Sequence, residues 1–429
     1  MAPPRDMTSH PLLPVGLKSQ SVNFKALPPL SLYIHIPWCV RKCPYCDFNS
    51  HEARTPSPLQ GEGRLLESLE QQYVAALIRD LELALPQIWG RKVYTVFFGG
   101  GTPSLLSGES VAEILRQVRM LLPLSGDAEI TLEANPGTVE AERFAVYRDA
   151  GVNRLSLGIQ SFDDAHLKAL GRIHSADEAR RAIAIAHQHF DNINLDLMYA
   201  LPNQTLEQAL LDVQTAVSFA PQHLSCYHLT LEPNTLFHRN PPSLPDDDAS
   251  AEMQQRIEEL LAQQGYEHYE TSAFARCRAK HNINYWQFGD YLGIGAGAHS
   301  KLSFPDKVLR QMRYKQPQAY LDAVSRDAPV QEENEVAADD LPFEFMMNAL
   351  RLTDGFDSAL FGERTSLPLT SVHRELEEAE RRGLLCRSLG RGEVKGAARE
   401  MQPTVQQRIQ PTHMGQRFLN DLLEIFIPT

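Results

Sequence analysis

The sequence predicts an α/β protein whose first part is a partial (β/α)6 TIM-like barrel. Six short apolar segments, rich in β-branched and aromatic residues, recur mostly at intervals of about 30 residues, as βα units require. They are Leu32–Ile36, Val93–Phe98, Ala128–Glu133, Arg154–Ile159, Asn192–Met198 and His223–Thr230. Strands that are apolar on both faces indicate a parallel sheet covered by helices. Six units favour a three-quarter barrel over a closed eightfold barrel, and a doubly wound open sheet is the alternative.

Helical patterns divide the rest of the chain. Amphipathic helices are predicted between the strands at Tyr73–Leu85, Val111–Leu121, Ala141–Ala150 and Ser175–His189. After about residue 330 we expect helices without alternating strands, in a small winged-helix-like unit, at Asp340–Leu352, Ser371–Arg382 and Thr412–Ile425. Thr55–Gly63 is rich in Pro and Gly, which predicts a surface insertion after the first strand.

Four parts of the chain follow from these patterns. Residues 1–30 form an irregular N-terminal segment, and residues 31–265 form the core partial barrel. Residues 266–330 form a segment that closes the barrel, and residues 331–429 form a smaller, mainly helical C-terminal domain.

Composition excludes several classes of protein. The 429 residues include 41 Lys+Arg and 54 Asp+Glu, which gives a formal net charge of −13. A hydrophobic share of 43% and a charged share of 22% are those of a globular protein, not of a disordered, fibrous or membrane protein. The acidic balance argues against nucleic-acid binding, which needs a concentrated basic surface. Residues 1–30 lack a signal-peptide pattern and Leu30–Ile36 is too short to span a bilayer, so we expect a cytoplasmic protein with no integral membrane segment.

A cluster of cysteines follows the first predicted strand. Cys39, Cys43 and Cys46 have the spacing CxxxCxxC and are three of the six cysteines in the chain. In a reducing compartment, such thiolates bind metals rather than forming structural disulfides. Three thiolates from one loop can hold three irons of a [4Fe-4S] cubane and leave one iron open for a small molecule. A structural zinc ion, with His35 or His51 as the fourth ligand, is the alternative.

The residues around this cluster resemble the signature of radical S-adenosylmethionine (SAM) enzymes. The resemblance lies in Tyr33–Cys39 (YIHIPWC) and Cys46–Phe48 (CDF), and it extends over roughly residues 31–300. More narrowly, the chain is similar to the branch that contains oxygen-independent coproporphyrinogen III oxidase and the HemW-type haem chaperones. The resemblance implies a barrel of the radical SAM type and a [4Fe-4S] cluster whose open iron binds SAM. It also implies an electron donor if SAM is cleaved.

The same resemblance implies which residues contact SAM. Gly100, Gly101 and Thr102, in FFGGGTPS after the second strand, are similar to the methionine-binding loop of the family. Glycines let the backbone approach a ligand closely, although a glycine run alone is also typical of a tight βα turn. The other implied contacts, most of them near the carboxyl ends of predicted strands, are Tyr33, Glu133, Gln160, Arg172 and Asp196. Carboxylates suit the ribose hydroxyls or the ammonium group of SAM, and Arg172 suits its carboxylate.

A second motif, HNxxYW, spans His281–Trp286 and resembles a motif associated with haem binding in HemW-type proteins. The resemblance implies that His281 is an axial ligand, a role that imidazole commonly takes with haem iron. Aromatic and basic neighbours would enclose the macrocycle and meet its propionates; they are Tyr285, Trp286, Phe288, Tyr291, Arg276, Arg278 and Lys280. Cys277 is the alternative axial ligand, and core packing of the aromatic residues is the alternative to a haem site.

Two features separate the chain from the coproporphyrinogen oxidase pattern. Phe48 stands where that enzyme typically carries a further cysteine, and only about 30 residues precede the first strand here, fewer than in the oxidase. With HNxxYW, they favour a haem chaperone that binds haem, the [4Fe-4S] cluster and SAM, and passes haem to acceptor haemoproteins. The alternative function is radical decarboxylation of coproporphyrinogen III propionates to vinyl groups, so enzymatic activity stays open.

Overall fold

A mixed sheet dominates the structure, a computed structural model that describes residues 22–52, 59–60, 64–65, 67–136, 141–390 and 406–428. Within these residues the sheet has twelve strands. Its centre consists of consecutive parallel strands: β1 (Leu30–Ile36), β2 (Val93–Gly100), β3 (Leu124–Ala134), β4 (Arg154–Gln160), β5 (Ile193–Tyr199) and β6 (His223–His228). Each of the six predicted strands coincides with one of them, so the predicted parallel β/α core is confirmed.

Helices connect these strands and cover the outer face of the sheet. They are α1 (Glu67–Ile88), α2 (Gly108–Leu121), α3 (Ala141–Ala150), α4 (Asp164–Ala169), α5 (Ala176–His189), α6 (Leu206–Ser218), α7 (Leu236–Arg239) and α8 (Asp247–Gln263). Side-chain hydrogen bonds at the first residues determine where some of these helices begin. At α5, the Ser175 hydroxyl accepts a hydrogen bond from the Glu178 amide and the Glu178 carboxylate accepts one from the Ser175 amide, which satisfies two amides that the helix leaves free.

Six further strands widen the sheet on both sides of the parallel centre. They are β7 (Glu267–Glu270), β8 (Ala273–Ala275), β9 (Asp290–Ile294), β10 (His299–Ser303), β11 (Val308–Arg313) and β12 (Val330–Glu335). The strand order is β7-β8-β6-β5-β4-β3-β2-β1-β9-β10-β11-β12. Among the described strands, β6 pairs with β8 and β1 pairs with β9. The barrel is therefore open between β6 and β1, as the prediction of a partial barrel requires.

The short helix α9 (Lys280–Trp286), which carries the HNxxYW motif, packs against β1, β2 and β9. A second short helix, α10 (Pro317–Val324), packs on α1. The motif therefore belongs to the barrel.

The C-terminal unit contains helices α11 (Leu341–Ala349), α12 (Ser358–Thr365), α13 (His373–Arg381), α14 (His413–Arg417) and α15 (Leu419–Glu424). It also contains an antiparallel sheet of β13 (Phe356–Asp357), β14 (Leu385–Gly390) and β15 (Gln406–Pro411). The expectation of helices without strands after residue 330 is therefore wrong. β14 and β15 are rich in polar residues and their strand pattern is weak. The third predicted helix is two short helices that meet at Phe418.

The two largest apolar cores of the described residues lie in the barrel and in the C-terminal unit. The larger core lies between the parallel strands and their helices, with side chains such as Leu32, Val96 and Leu155 fully buried. The second core is centred on α11 and includes Phe24 from the N-terminal segment and Val308 from β11. The second core thus fastens the C-terminal unit to the large sheet.

Two other expectations concern the surface of the molecule. Most of the predicted insertion Thr55–Gly63 lies outside the described residues, and the described pairs Leu59–Gln60 and Arg64–Leu65 form a short antiparallel ladder. Within the described part of the chain, no helix combines the length and the apolar character needed to cross a bilayer.

Candidate functional site

A cavity of about 590 Å³ opens at the carboxyl ends of the parallel strands. Ten of the twelve residues predicted for the cluster, SAM and haem line it. The ten are Cys39, Cys43, Cys46, Gly100, Gly101, Thr102, Glu133, Gln160, Arg172 and Asp196. The other two, Tyr33 and His281, are not among the lining residues. The structure therefore brings the predicted cluster and SAM residues to one place, although they are spread over more than 150 positions in the sequence.

The loop after β1 presents the three cysteines to this cavity. Trp38 and Cys39 pair in parallel with His51 and Glu52, which fixes both ends of the loop. Inside it, the Cys46 amide donates a hydrogen bond to the Cys43 carbonyl at 3.2 Å. The three thiols are free, and burial raises the pKa of Cys39 to about 11 and raises the pKa of Cys46. The thiols of Cys39 and Cys46 are thus protonated at neutral pH until a metal displaces the protons.

The donor set fits an iron–sulfur cluster better than zinc. Around one zinc ion, sulfurs lie at about 2.3 Å from the metal and hence within about 4 Å of one another. Among the described residues, no three His, Cys, Asp or Glu side chains are grouped for one metal ion. Both ring nitrogens of His35 have partners, the Asn49 carbonyl at 2.9 Å and the Tyr33 hydroxyl at 3.1 Å. His51 Nε2 lies 3.3 Å from the Lys315 carbonyl. Neither histidine lines the cavity, so a fourth zinc ligand is missing from the predicted positions.

The glycine loop after β2 is needed for close packing against the cysteine loop. A Cβ on Gly101 would lie 2.5 Å from the Trp38 carbonyl oxygen and 3.1 Å from Cys39 Sγ. Gly100 has φ = +117°, and a Cβ there would lie 2.7 Å from the His35 ring. The Gly101 amide donates to the Ile36 carbonyl at 2.7 Å, so it is engaged in the fold. The loop therefore contributes close approach rather than a free Gly101 amide.

Two of the acidic residues that line the cavity, Glu133 and Asp196, lie on strands β3 and β5 of the sheet. Burial and the nearby Asp196 carboxyl raise the pKa of Glu133 to about 8. Burial also raises the pKa of Asp196, whose oxygens accept hydrogen bonds from Ser156 Oγ at 3.0 Å and Asn194 Nδ2 at 2.8 Å. Two carboxyls that disfavour each other's ionisation form a site that a cationic ligand stabilises. SAM, with a sulfonium and an ammonium group, has this charge.

Arg172 and Gln160 lie on the same side of the cavity. The Arg172 guanidinium donates to the Gly158 carbonyl at 2.8 Å and to Asn135 Oδ1, and it lies 3.6 Å from Cys43 Sγ. Gln160 ends β4 with φ = +67°, a conformation that costs energy for a residue other than glycine. The strained residue thus stands at a predicted ligand contact.

Tyr33 lies on the barrel interior rather than on the cavity wall. Its ring stacks on Phe97 with centroids 6.2 Å apart, and burial together with the Glu133 carboxyl raises its pKa. Its hydroxyl meets the His35 ring, which abuts Gly100. Tyr33 can therefore support the SAM residues, while its predicted direct contact with SAM stays a prediction.

Comparison with known proteins gives the family. The Radical SAM superfamily matches residues 33–214, and the HemN C-terminal domain matches residues 336–399. The chain is 46% identical to "Heme chaperone HemW" of Escherichia coli (strain K12), over 94% of this chain and 99% of that protein. It is 45% identical to the protein of the same name from Haemophilus influenzae, over 94% of this chain and 98% of that protein. The chain belongs to the HemW family.

A solved structure agrees on the fold of this HemW-family chain. Coproporphyrinogen III oxidase (HemN) from Escherichia coli, a radical SAM enzyme, superposes with a TM-score of 0.74. The match covers 93% of this chain and 90% of that one, at 22% sequence identity. It confirms an α/β radical SAM barrel with a smaller C-terminal domain.

The structure places His281 of the HemW-family motif inside the barrel, near the amino ends of the strands. Its Nδ1 lies 2.7 Å from Thr95 Oγ1, and its ring stacks on Phe97 with centroids 4.8 Å apart. Burial and the nearby Arg154 charge lower the pKa of His281 to about 3, so the imidazole is neutral, as an iron ligand must be. The side chain is buried and lies outside the cavity of the cysteines. Its role as an axial haem ligand stays a prediction.

The alternative axial ligand lies on the surface, and two basic neighbours of the motif form ion pairs. Cys277 is exposed, just before α9. Arg278 is paired with Glu267 and Asp354. Lys280 is paired with Asp127. These two basic side chains already serve the fold.

Sequence reasoning missed several residues that line the cavity of this HemW-family chain. The end of β6 and the loop after it contribute Tyr227, His228, Leu229, Thr230 and Glu232. The rule that barrel sites collect at the carboxyl ends of strands would have found them. Arg351 also lines the cavity and comes from the C-terminal unit, where no sequence signal marks it.

Proposed function

We propose that the chain is a haem chaperone that binds haem, a [4Fe-4S] cluster and SAM, and delivers haem to acceptor haemoproteins. The observation that carries the proposal is its 46% identity, over 99% of the relative's length, to a protein named for that function. The proposal places the chain in the reducing cytoplasm, where the free thiols of the cysteine loop stay available for iron.

The cavity supports the cluster and SAM part of this proposal. Cys39, Cys43 and Cys46 hold the cluster, and Glu133 and Asp196 bind cationic or hydroxyl groups of SAM. Arg172 lies beside Cys43 and suits the SAM carboxylate. When bound, the cluster and SAM supply one-electron radical chemistry, which requires an external electron donor. The protein orients the two groups and encloses them at the end of the barrel.

The haem part of the proposal rests on the family and on the HNxxYW motif. His281 is neutral and its Nδ1 is held by Thr95, which is how a protein fixes the tautomer of a metal ligand. A haem that uses Nε2 requires the packing around α9 to open. The acceptor is a haemoprotein that takes haem from this chain.

Coproporphyrinogen III oxidation is the function to be tested against this proposal. Similarity to the solved oxidase, at 22% identity, concerns the fold alone. Phe48, which stands where the oxidase typically carries a cysteine, is 61% exposed and lines the cavity. Its apolar ring replaces a thiol at this place and supports the chaperone.

One set of anaerobic measurements tests the proposal. Iron, sulfide and haem are quantified in the purified, reconstituted protein, with and without SAM. Haem transfer is followed by the Soret band of a purified b-type apo-cytochrome, with free haem as the control. We expect bound cluster and haem, and no conversion of coproporphyrinogen III. Conversion of coproporphyrinogen III with stoichiometric consumption of SAM would show that the chain is an oxidase instead.

A further inference from the structure

Among the described residues that line the cavity, Arg351 alone comes from the C-terminal unit. It lies two residues after α11, and the centre of its guanidinium lies 4.6 Å from the centroid of the Trp286 ring. Trp286 is the last residue of the HNxxYW motif and of α9. The Trp286 ring of the motif thus packs against the Arg351 guanidinium in a cation–π contact.

The Arg351 side chain lacks the hydrogen bonds that hold Arg172 in place. Its Nε is buried and has no hydrogen-bond partner within the described residues. Arg172, across the same cavity, also has a buried Nε without a partner among the described residues, but its terminal nitrogen donates to Gly158 and Asn135. The Glu270 carboxyl feels the charge of Arg351, which lowers its pKa, but burial outweighs this effect and raises the pKa overall. Glu270 accepts hydrogen bonds from Ser272, whose Oγ lies 3.2 Å from Oε1, and its buried Oε2 has no partner among the described residues. A guanidinium nitrogen buried without an acceptor is a position where an anionic ligand group gains most.

The charged residues of the cavity indicate which anionic ligand group would bind Arg351. One wall carries the carboxyls of Glu133 and Asp196, which suit the cationic part of a ligand. Arg351 supplies a planar fork of donors, which matches a carboxylate in two parallel hydrogen bonds. We infer that Arg351 binds a carboxylate of the ligand held in this cavity, either a haem propionate or, together with Arg172, the α-carboxylate of SAM. The inference rests on the proposed function, because that function supplies both ligands.

Pairs of ligands that differ only in the carboxylate provide the test. The full-length, anaerobically reconstituted Arg351→Gln variant and the unaltered protein are titrated with haem and with haem dimethyl ester, followed by Soret absorbance. Both proteins are then titrated with SAM and with decarboxylated SAM in a calorimeter. We expect Arg351→Gln to weaken one of the two carboxylate ligands by about tenfold to a hundredfold. Binding of its carboxylate-free counterpart stays unchanged.

Two further variants serve as controls. Arg351→Lys keeps the charge but lacks the fork, so we expect an intermediate loss for the same ligand. Arg374 is exposed on α13, and Arg374→Gln should bind all four compounds normally.

The outcome identifies the source of the carboxylate or overturns the inference. A selective loss for haem over its dimethyl ester assigns a propionate, and a selective loss for SAM over decarboxylated SAM assigns the α-carboxylate. Equal losses within each pair, or no loss in either pair, would overturn the role of Arg351 while leaving the proposed function intact. If the unaltered protein binds neither haem nor SAM, the proposed function fails as well.

Discussion

The thiols of Cys39, Cys43 and Cys46 decide whether the cavity holds a cluster. In the proposed function each supplies one iron ligand, so the loss of one thiol leaves too few ligands for the cluster. We expect Cys43→Ala to reduce the iron and sulfide content of the reconstituted protein by most of its value. The matched control is Cys386→Ala, which removes an exposed thiol of β14. Full iron and sulfide in Cys43→Ala would contradict the cluster assignment.

Glu133 makes the stability of the cluster-free protein depend on pH. Its pKa rises from the ordinary value of 4.5 to about 8 on folding, so the folded state holds an extra proton between these values. The free energy of unfolding therefore falls as pH rises from about 5 to about 8. We expect Glu133→Gln to lose this dependence and to gain, relative to the unaltered protein, about 3–4 kcal/mol over that range. Urea unfolding at several pH values measures the difference.

If the unfolding free energies of Glu133→Gln and of the unaltered protein change in parallel with pH, this account of Glu133 is wrong. Lys280 and its exposed partner Asp127 offer the control, because Asp127→Asn removes a carboxyl on the surface. The unfolding free energy of Asp127→Asn should keep the fall between pH 5 and pH 8 that Glu133 causes.

At the scale of elements, the site depends on how closely the glycine loop approaches the cysteine loop. A methyl group at Gly101 would lie 2.5 Å from the Trp38 carbonyl oxygen, so the backbone of the two loops would have to move apart. We expect Gly101→Ala to displace the cysteine loop and to lower cluster content several-fold. Gly126→Ala in β3 is the control, since a Cβ there meets nothing within 4 Å. Equal cluster content in the two variants would show that the close approach is unnecessary.

His281 is either a haem ligand or a residue that only anchors α9 in the barrel. A pair of variants distinguishes these two roles. His281→Ala removes the imidazole, while Thr95→Val removes the oxygen that holds Nδ1 and leaves the imidazole in place. If His281 ligates iron, His281→Ala lowers haem affinity at least tenfold and shifts the Soret band, and Thr95→Val keeps the unaltered spectrum. If His281 only anchors α9 in the barrel, both variants lower the melting temperature and neither changes the coordination spectrum.

The elements also show which parts of the molecule the sequence could reveal. The parallel strands were predictable because they are buried on both faces. The cavity residues were predicted from the resemblance to radical SAM enzymes, and most of them lie near the carboxyl ends of these strands. Strand β12 was not predictable: its sequence is VQEENE and its side chains are mostly exposed, so no apolar period marks it. The contact of Arg351 with Trp286 joins positions 65 residues apart, and only tertiary packing creates it.

On the scale of the whole molecule, the second core joins the C-terminal unit to the large sheet. Phe345 is fully buried at its centre, and its ring meets the rings of Phe288, Phe356 and Phe361 edge-on at centroid distances of 6.0, 4.9 and 5.3 Å. Phe288 lies between α9 and β9, so this core reaches the elements that carry the HNxxYW motif. The position of Arg351 at the cavity depends on the same packing, because α11 carries Phe345 and ends two residues before Arg351.

We therefore expect the C-terminal unit and the barrel to unfold together. Phe345→Ala removes a large ring from a closed core and should lower the free energy of unfolding by about 3–5 kcal/mol, within a single transition. Tryptophan fluorescence reports the barrel, since Trp38 and Trp286 lie there, and far-ultraviolet circular dichroism reports the whole chain. Phe418→Ala, which truncates a ring that is 54% exposed, should change stability by less than about 1 kcal/mol. If the circular dichroism of Phe345→Ala instead shows an early transition that the fluorescence lacks, the C-terminal unit unfolds alone. Its contribution to the cavity through Arg351 would then be separable from the stability of the barrel.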